Sequence, residues 1–276
     1  MGTGIRFVLL GPVRAWRGDT ELDLGHPRQR AVLAGLLLGE GTSMTPEGLA
    51  DVVWGDDLPA TALSTIRGCV HRLRQTLGDE LIRVSASGYR LVLDPGSVDV
   101  VRFKRLVAEA EAARRTADPA HAETLLAEAL ALWMGTALAG VPGPGAAADR
   151  MLLGELRLAA IEERLVCGLD LGRHTEVATE LTYLVATHPL RERLRELLMI
   201  ALYGAGRQAD ALAVFDDTWR ILRDELGIDP APRLRDVHRR ILQADPELRA
   251  TSRAAELRQS RSRWYGPAGL RWLEQV

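Results

Sequence analysis

TALSTIRGCVHRLRQTL, residues 61–77, decides how the rest of this chain is read. Wound as a helix, it sets Leu63, Ile66, Val70, Leu73 and Leu77 at steps of three and four residues, on one apolar stripe. Ser64, Gly68, His71, Arg72 and Gln75 then face away from the stripe. Between Ala60 and Gly78 stand three arginines, one histidine and no carboxylate, in a chain whose formal net charge is only -2. Positive charge is therefore concentrated on one short element. A helix held by its apolar stripe, with arginine and short polar groups outward, fits a DNA major groove, because the guanidinium fork suits guanine edges and phosphates. An ordinary amphipathic helix with a solvated basic face accounts equally well for the stretch taken alone. Its flanks separate the two.

Upstream, Ile5 to Leu24 (IRFVLLGPVRAWRGDTELDL) has short apolar runs broken at Gly11-Pro12 and Gly18-Asp19, which predicts turns between short antiparallel strands. Arg28 to Leu38 (RQRAVLAGLLL) changes to a helical period, with Pro27 as a first-turn proline and a stop at Gly39 to Gly41. Thr45-Pro46 opens a second helix through Leu49, Val52, Val53 and Trp54, ending at Gly55-Asp56-Asp57. Downstream, LIRVSASGYRLVL (81–93) is two alternating apolar runs joined across Ser85 to Gly88, a hairpin pattern. Strands, three helices and a hairpin are the layout of a winged helix. In that layout the second and third helices form a helix-turn-helix and the hairpin is a wing beside the minor groove.

Gly11-Pro12-Val13, HPRQRAVLAGLLL (26–38), VVWGDDLPATALSTIRGCVHRLRQTLG (52–78) and SGYRL (87–91) together resemble the DNA-binding domain of the Streptomyces antibiotic regulatory protein family, with its OmpR-type winged helix. The resemblance implies that 61–77 lies in the major groove and that Ser64, Thr65, Arg67, Gly68, His71, Arg72 and Arg74 form its contact face. Arg28, at the start of the first helix, and Ser87 with Tyr89 in the wing would touch the DNA backbone. Gly68 stands where relatives usually carry a larger side chain, at a helix cost of about 1 kcal/mol against alanine, and His71 replaces a more usual small polar or basic residue. Several of these residues have a second reading. Tyr89 is equally wing core, Arg74 suits a phosphate or an intramolecular carboxylate better than a base, and His71 is a polar groove contact or a pH-sensitive one. Cys69 reads as a small buried apolar residue rather than a redox switch.

The 276 residues allow one large or two ordinary domains, and 47% hydrophobic with 26% charged residues describes a soluble globular chain with real cores. No apolar run approaches the roughly 18 residues of a membrane span, and the N-terminal hydrophobic run is short and interrupted by Pro12 and Arg14, so a cytoplasmic protein is expected. Cys69 and Cys167 suggest neither disulfide nor metal spacing. Lys104 is the only lysine among 35 basic residues, a bias read as GC-rich coding.

Asp94 to Ser97 marks a boundary after which strand patterns cease, dividing the chain into a DNA-binding domain, 1–97, a helical domain, 98–248, and a tail, 249–276, of unknown role. The expected fold is mainly α with a small β component. Val101 to Thr116 and Ala120 to Trp133 read as amphipathic helices, Val141 to Ala148 as a Gly/Pro/Ala loop, and the remainder as helices. LGRHTEVATELTYL and AGRQADALAVFDDTW repeat, with Gly172-Arg173 matching Gly206-Arg207 at a spacing of 34 residues, the tetratricopeptide period. A plain helical bundle is the alternative. The stretch 189–242 also resembles the family's bacterial transcriptional activation domain, most distinctively at Pro189 to Glu192 and in DELGIDP (224–230), so that the likeness covers about residues 5 to 248.

Motifs of catalysis are lacking: there is no G-x-x-x-x-G-K-[ST], H-E-x-x-H or G-x-S-x-G, and the six histidines are scattered. No enzyme, cofactor or metal site is expected. What the resemblance implies is a sequence-specific activator, bound as a homodimer to direct repeats in double-stranded promoter DNA, which recruits RNA polymerase holoenzyme to antibiotic genes. A tetratricopeptide adaptor without specific DNA binding is the competing reading. The first 97 residues are expected to fold on their own.

Overall fold

The computed structural model describes residues 4–245 and Leu248; the tail 249–276 lies outside them. The protein is mainly helical, and the described residues gather into two compact units. One holds the chain up to Ala108 together with Ala127–Ala160, the other Glu109–Leu126 together with the chain from Ile161 onward.

In the first unit, β1 (Ile5–Val8), β2 (Arg14–Arg17) and β3 (Thr20–Glu21) form an antiparallel meander in sequential order, with Phe7 opposite Ala15. Three helices follow: α1 (Pro27–Leu38), α2 (Pro46–Trp54) and α3 (Ala62–Leu77). Both expected prolines stand at a helix start, where the missing N–H costs nothing. Thr45 caps α2, its hydroxyl accepting the Gly48 N–H at 3.0 Å. The helix α1 is apolar all round and accordingly buried from Ala31 to Leu37. In α3 the predicted stripe is the buried one, Ile66, Val70, Leu73 and Leu77 with Cys69 beside them, while Leu63 stands at its half-exposed rim. Each fully buried side chain of this size stabilises the three-helix packing by about 1.5–3 kcal/mol. The hairpin β4 (Ile82–Ser85) and β5 (Gly88–Leu91) turns through Ala86-Ser87.

What holds the sheet in place lies beyond residue 97. Leu9 and Leu10, wholly buried just after β1, donate their backbone N–H groups to the Asp99 carboxylate at 2.9 Å. On the same segment, Met134 N–H reaches Leu10 O at 2.7 Å, Leu138 N–H reaches Leu9 O at 2.9 Å and Ala139 N–H reaches Gly11 O at 3.2 Å. Asp99 is itself buried, which pushes its carboxyl above the usual range against the pull of the Leu10 and Leu9 amides. This differs from the expectation that 1–97 folds alone. Leu9, Leu10 and Gly11 lie beyond the β1–β2 pairing, and among the described residues these buried groups are satisfied from the start of α4 (Asp99–Arg115) and from the 134–139 segment, so the unit closes with both.

A second difference concerns Val141 to Ala148, expected as a loop. There α6 (Pro144–Asp170) has already begun, after α5 (Pro119–Ala131) and the connection 132–143. The glycines here reflect crowding. A Cβ at Gly143 would fall 2.5 Å from Val53 O, and one at Gly145 2.8 Å from both Val52 O and its Cγ1. The start of α6 thus lies directly on the backbone of α2, an approach only glycine permits.

The second unit contains α7 (His174–Thr187), α8 (Glu192–Gly204), α9 (Gln208–Leu226) and α10 (Pro232–Leu242). The two Gly-Arg pairs that suggested a repeat occupy equivalent turns. Gly172 has φ 78° and Gly206 φ 79°, and in each the following arginine N–H bonds to the carbonyl five residues back, Gly168 O at 3.0 Å and Leu202 O at 2.8 Å. The central helix α8 is buried continuously from Leu194 to Tyr203 under α7, α9 and α10. The two distinctive sequence pieces meet here: the Glu192 carboxylate accepts the Ala231 N–H at 2.6 Å, just after DELGIDP, and Arg195 donates to Pro189 O at 2.9 Å. Buried Glu196 is ion-paired to Arg193 at 2.7 Å and to Arg233 at 2.8 Å. These residues are therefore held in place where α8, α9 and α10 pack together.

Candidate nucleic-acid interface

The outward face of α3 carries Ser64, Arg67, His71, Arg72 and Gln75, all exposed, with Thr65 and Gly68 half-exposed between them. The expected contact face is thus assembled on one side of the helix. Ser64 and Thr65 donate their hydroxyls back to Thr61 O, at 2.8 and 2.9 Å, and Thr61 gives the helix no side-chain cap. Arg67 makes no hydrogen bond or ion pair among the described residues, so its guanidinium is available. His71 lies 3.1 Å from Gln75 one turn on. Arg72 is tied to the start of α1 through Gln29 and His26.

Three expected residues stand elsewhere. Arg74 is half-buried and lies 3.1 Å from the Asp79 carboxylate, close enough for an ion pair though not aligned as a hydrogen bond. Of its two readings, the intramolecular carboxylate is the one seen. Arg28 is exposed and lies 5.8 Å over the ring of Trp54, bridging α1 to α2. Tyr89 is 9% exposed, and its backbone exchanges both hydrogen bonds with Met44 at 2.8 Å. It belongs to the wing core, as a side chain alternating inward on β5 must, while Ser87 at the exposed turn pairs its hydroxyl with Ser85 at 2.8 Å. Cys69 is fully buried, which pushes its thiol up despite the nearby Arg72 guanidinium. A neutral buried thiol is inert, so the apolar reading of Cys69 is the one its surroundings favour.

Sequence reading missed two arginines. Arg83 and Arg90 are exposed and directly opposite each other across the hairpin. Like charges in that position repel, so the pair gains from an anion held between or above them. The signal was available: a two-residue turn at Ala86-Ser87 fixes Ser85 opposite Gly88 and hence Arg83 opposite Arg90. One further arginine, Arg17, reaches the far end of α3 and donates to Leu77 O at 3.0 Å, supporting the negative end of the helix dipole.

The wing lies hard against the Met44 backbone that leads into α2. A Cβ at Gly88 would fall 2.1 Å from Met44 O, and Gly88 has φ 112°. Gly88→Ala is expected to lose about 1–3 kcal/mol from backbone strain alone, with the clash added, read as a lower urea midpoint. An unchanged midpoint would show that the hairpin does not depend on the Met44 junction.

Residues 98–242 match the family model described as the bacterial transcriptional activator domain. The chain is 51% identical over 251 residues to the regulatory protein AfsR of Streptomyces coelicolor, covering 91% of this chain and 25% of AfsR, so it spans about a quarter of that relative's length. It is 34% identical over 250 residues to the regulatory protein DnrI of Streptomyces peucetius, covering 86% of this chain and 92% of DnrI. Among solved structures, Mycobacterium tuberculosis EmbR in complex with a low affinity phosphopeptide aligns with a TM-score of 0.87 at 28% identity, over 96% of this chain and 73% of that one. A helical-domain match over more than half the chain, joined to near full-length similarity to DnrI, places the chain in the Streptomyces antibiotic regulatory protein family of transcriptional activators.

Proposed function

We propose that the chain is a sequence-specific DNA-binding activator, with α2 and α3 as a helix-turn-helix, α3 in the major groove and the β4–β5 hairpin as a wing. The observation that carries this is the placement of charge. Arg67, His71 and Arg72 line the outer face of α3, Arg83 and Arg90 crown the wing, and the first 95 residues as a whole are near neutral, with ten arginines against eleven carboxylates. A near-neutral domain binds DNA weakly through bulk charge, so selection falls to the few outward arginines and to pairing of protomers. Two protomers on promoter direct repeats, with residues 98–248 as a tetratricopeptide-like domain that holds the partner or RNA polymerase holoenzyme, complete the reading. The genes served are those of antibiotic and other secondary-metabolite pathways.

The test is the affinity of the full chain for a duplex that it enriches from a randomised pool. Arg67→Ala is expected to weaken binding to that duplex by about 1–3 kcal/mol if the contact is a base edge, with the melting temperature unchanged because the side chain has no partner in the fold. A phosphate contact would instead weaken all sequences alike and reduce the salt slope by about one. Wild-type affinity in Arg67→Ala would remove α3 from the groove. A wild-type chain that enriches no sequence would favour the tetratricopeptide-type adaptor.

A further inference from the structure

The two outward arginines of α3 differ in kind. Arg67 is free, whereas the Arg72 guanidinium is already held. Its Nε–H donates to Gln29 Oε1 at 3.0 Å, and Nη2 lies 3.4 Å from His26 Nε2 and 3.7 Å from Cys69 Sγ. His26 is the N-cap of α1 and Gln29 its third residue, so the holders come chiefly from a neighbouring helix 43 and 46 residues away in sequence. Gln29 is the stronger of them. The His26 ring has an N–H donor at each nitrogen, Gln29 N at Nδ1 and Arg72 Nη2 at Nε2, both at 3.4 Å. A neutral imidazole has one acceptor nitrogen, so His26 serves one of these donors at a time. Gln29 is 3% exposed, and its amide lies so close to Gly25 that a Cβ there would fall 2.9 Å from Oε1, which leaves the side chain little room to turn.

Ordering a long arginine on a ligand costs rotamer freedom, and Arg72 has given up much of that freedom on folding. A held fork also accepts only a ligand atom placed where its remaining hydrogens point, whereas a swinging arginine follows any acceptor within reach. We propose that Arg72 is the specificity-determining arginine of α3 and that Gln29 is the positioning residue that aims it. This rests on the reading of α3 as a groove helix.

The experiment uses the full chain and the duplex it enriches from a randomised pool, and measures the ratio of affinities for that duplex and a scrambled one. Gln29→Met keeps the volume and removes the acceptor. Gln29→Met and Arg72→Ala are each expected to lower the ratio about tenfold, the size of one good base contact, and the double variant no further than Arg72→Ala alone. In Gln29→Met the affinity for scrambled DNA should stay at the wild-type level, because the positive charge remains, a pattern that mere loss of stability does not give. Thermal melts fix a temperature at which all variants are folded. Should Gln29→Met fail to fold, Gln29→Glu retains an acceptor for Nε and is expected to keep the ratio; a ratio at the Arg72→Ala level would overturn the proposal. So would a wild-type ratio in Gln29→Met or Arg72→Ala, or losses that add in the double variant. A wild-type chain that enriches no sequence overturns the groove reading itself, whatever the Gln29 variants do.

Discussion

A fragment ending at residue 97 is expected not to hold the N-terminal fold. Truncation there removes the Asp99 carboxylate from Leu9 N–H and Leu10 N–H, and the 134–139 backbone from Leu9, Leu10 and Gly11, on a segment whose leucines are 0% exposed. Each of the five hydrogen bonds lost contributes about 0.5–1.5 kcal/mol, and uncovering the buried Leu9 and Leu10 side chains adds about 1.5–3 kcal/mol each. Together these losses are comparable with the whole stability of an ordinary domain, about 5–15 kcal/mol. Far-ultraviolet circular dichroism with a thermal melt checks this, and a cooperative transition in 1–97 matching that of the full chain would refute it. In the full chain, Asp99→Ala isolates the carboxylate's part of the effect. It leaves the two leucine amides without acceptors and should lower stability by about 2–5 kcal/mol, read as a fall in urea midpoint without a change in slope. The same reasoning decides how activation must be studied, since a short DNA-binding fragment would fail for reasons unrelated to polymerase.

Inserting half a helical turn, about five base pairs, between the two repeats is expected to abolish cooperative binding. If α3, 16 residues long, enters the groove beside one short wing, a single module covers about a half-site, and its domain has no net positive charge to add non-specific affinity. On the proposed reading, tight binding therefore needs two protomers on one face of the DNA. Linked sites gain through effective concentration by about a hundredfold or more, and lose that gain when geometry forbids joint engagement. Gel-shift isotherms on repeats at the native spacing, with five added base pairs and with ten, distinguish the cases. Five should give two independent weak sites, while ten should restore part of the cooperativity. Full cooperativity at five would mean that the protomers meet through contacts indifferent to DNA face.

Local pattern carried most of what was legible in the sequence. The stripe of α3, the prolines opening α1 and α2, and the hairpin across Ser85 to Gly88 are all set by neighbours within a few residues, and all are found in place. The 34-residue Gly-Arg spacing was legible for the same reason, since each pair builds its own turn. What was not legible depends on distant partners. Nothing near Leu9 announces Asp99, 90 residues on. Gly143 and Gly145 have the composition of a loop, and only the α2 backbone beside them shows that they are small for lack of room. In the candidate site, Ser64, Gly68, His71, Arg72 and Gln75 were readable from period, while Arg67 came from the family resemblance. The inward turn of Tyr89 and the Arg83–Arg90 pair needed the hairpin register, and the tie from Arg72 to Gln29 needed the packing of α1 on α3.

That tie sets a limit on how the protein can be re-engineered. A chimera that moved only residues 61–77 into a relative would import Arg72 and leave Gly25, His26 and Gln29 behind, so the transplanted guanidinium would hang loose over whatever the host carries at those places. If α3 reads DNA as proposed, the transferable unit of recognition is that helix together with the turn opening α1, two pieces separated in the gene and joined only in the folded chain.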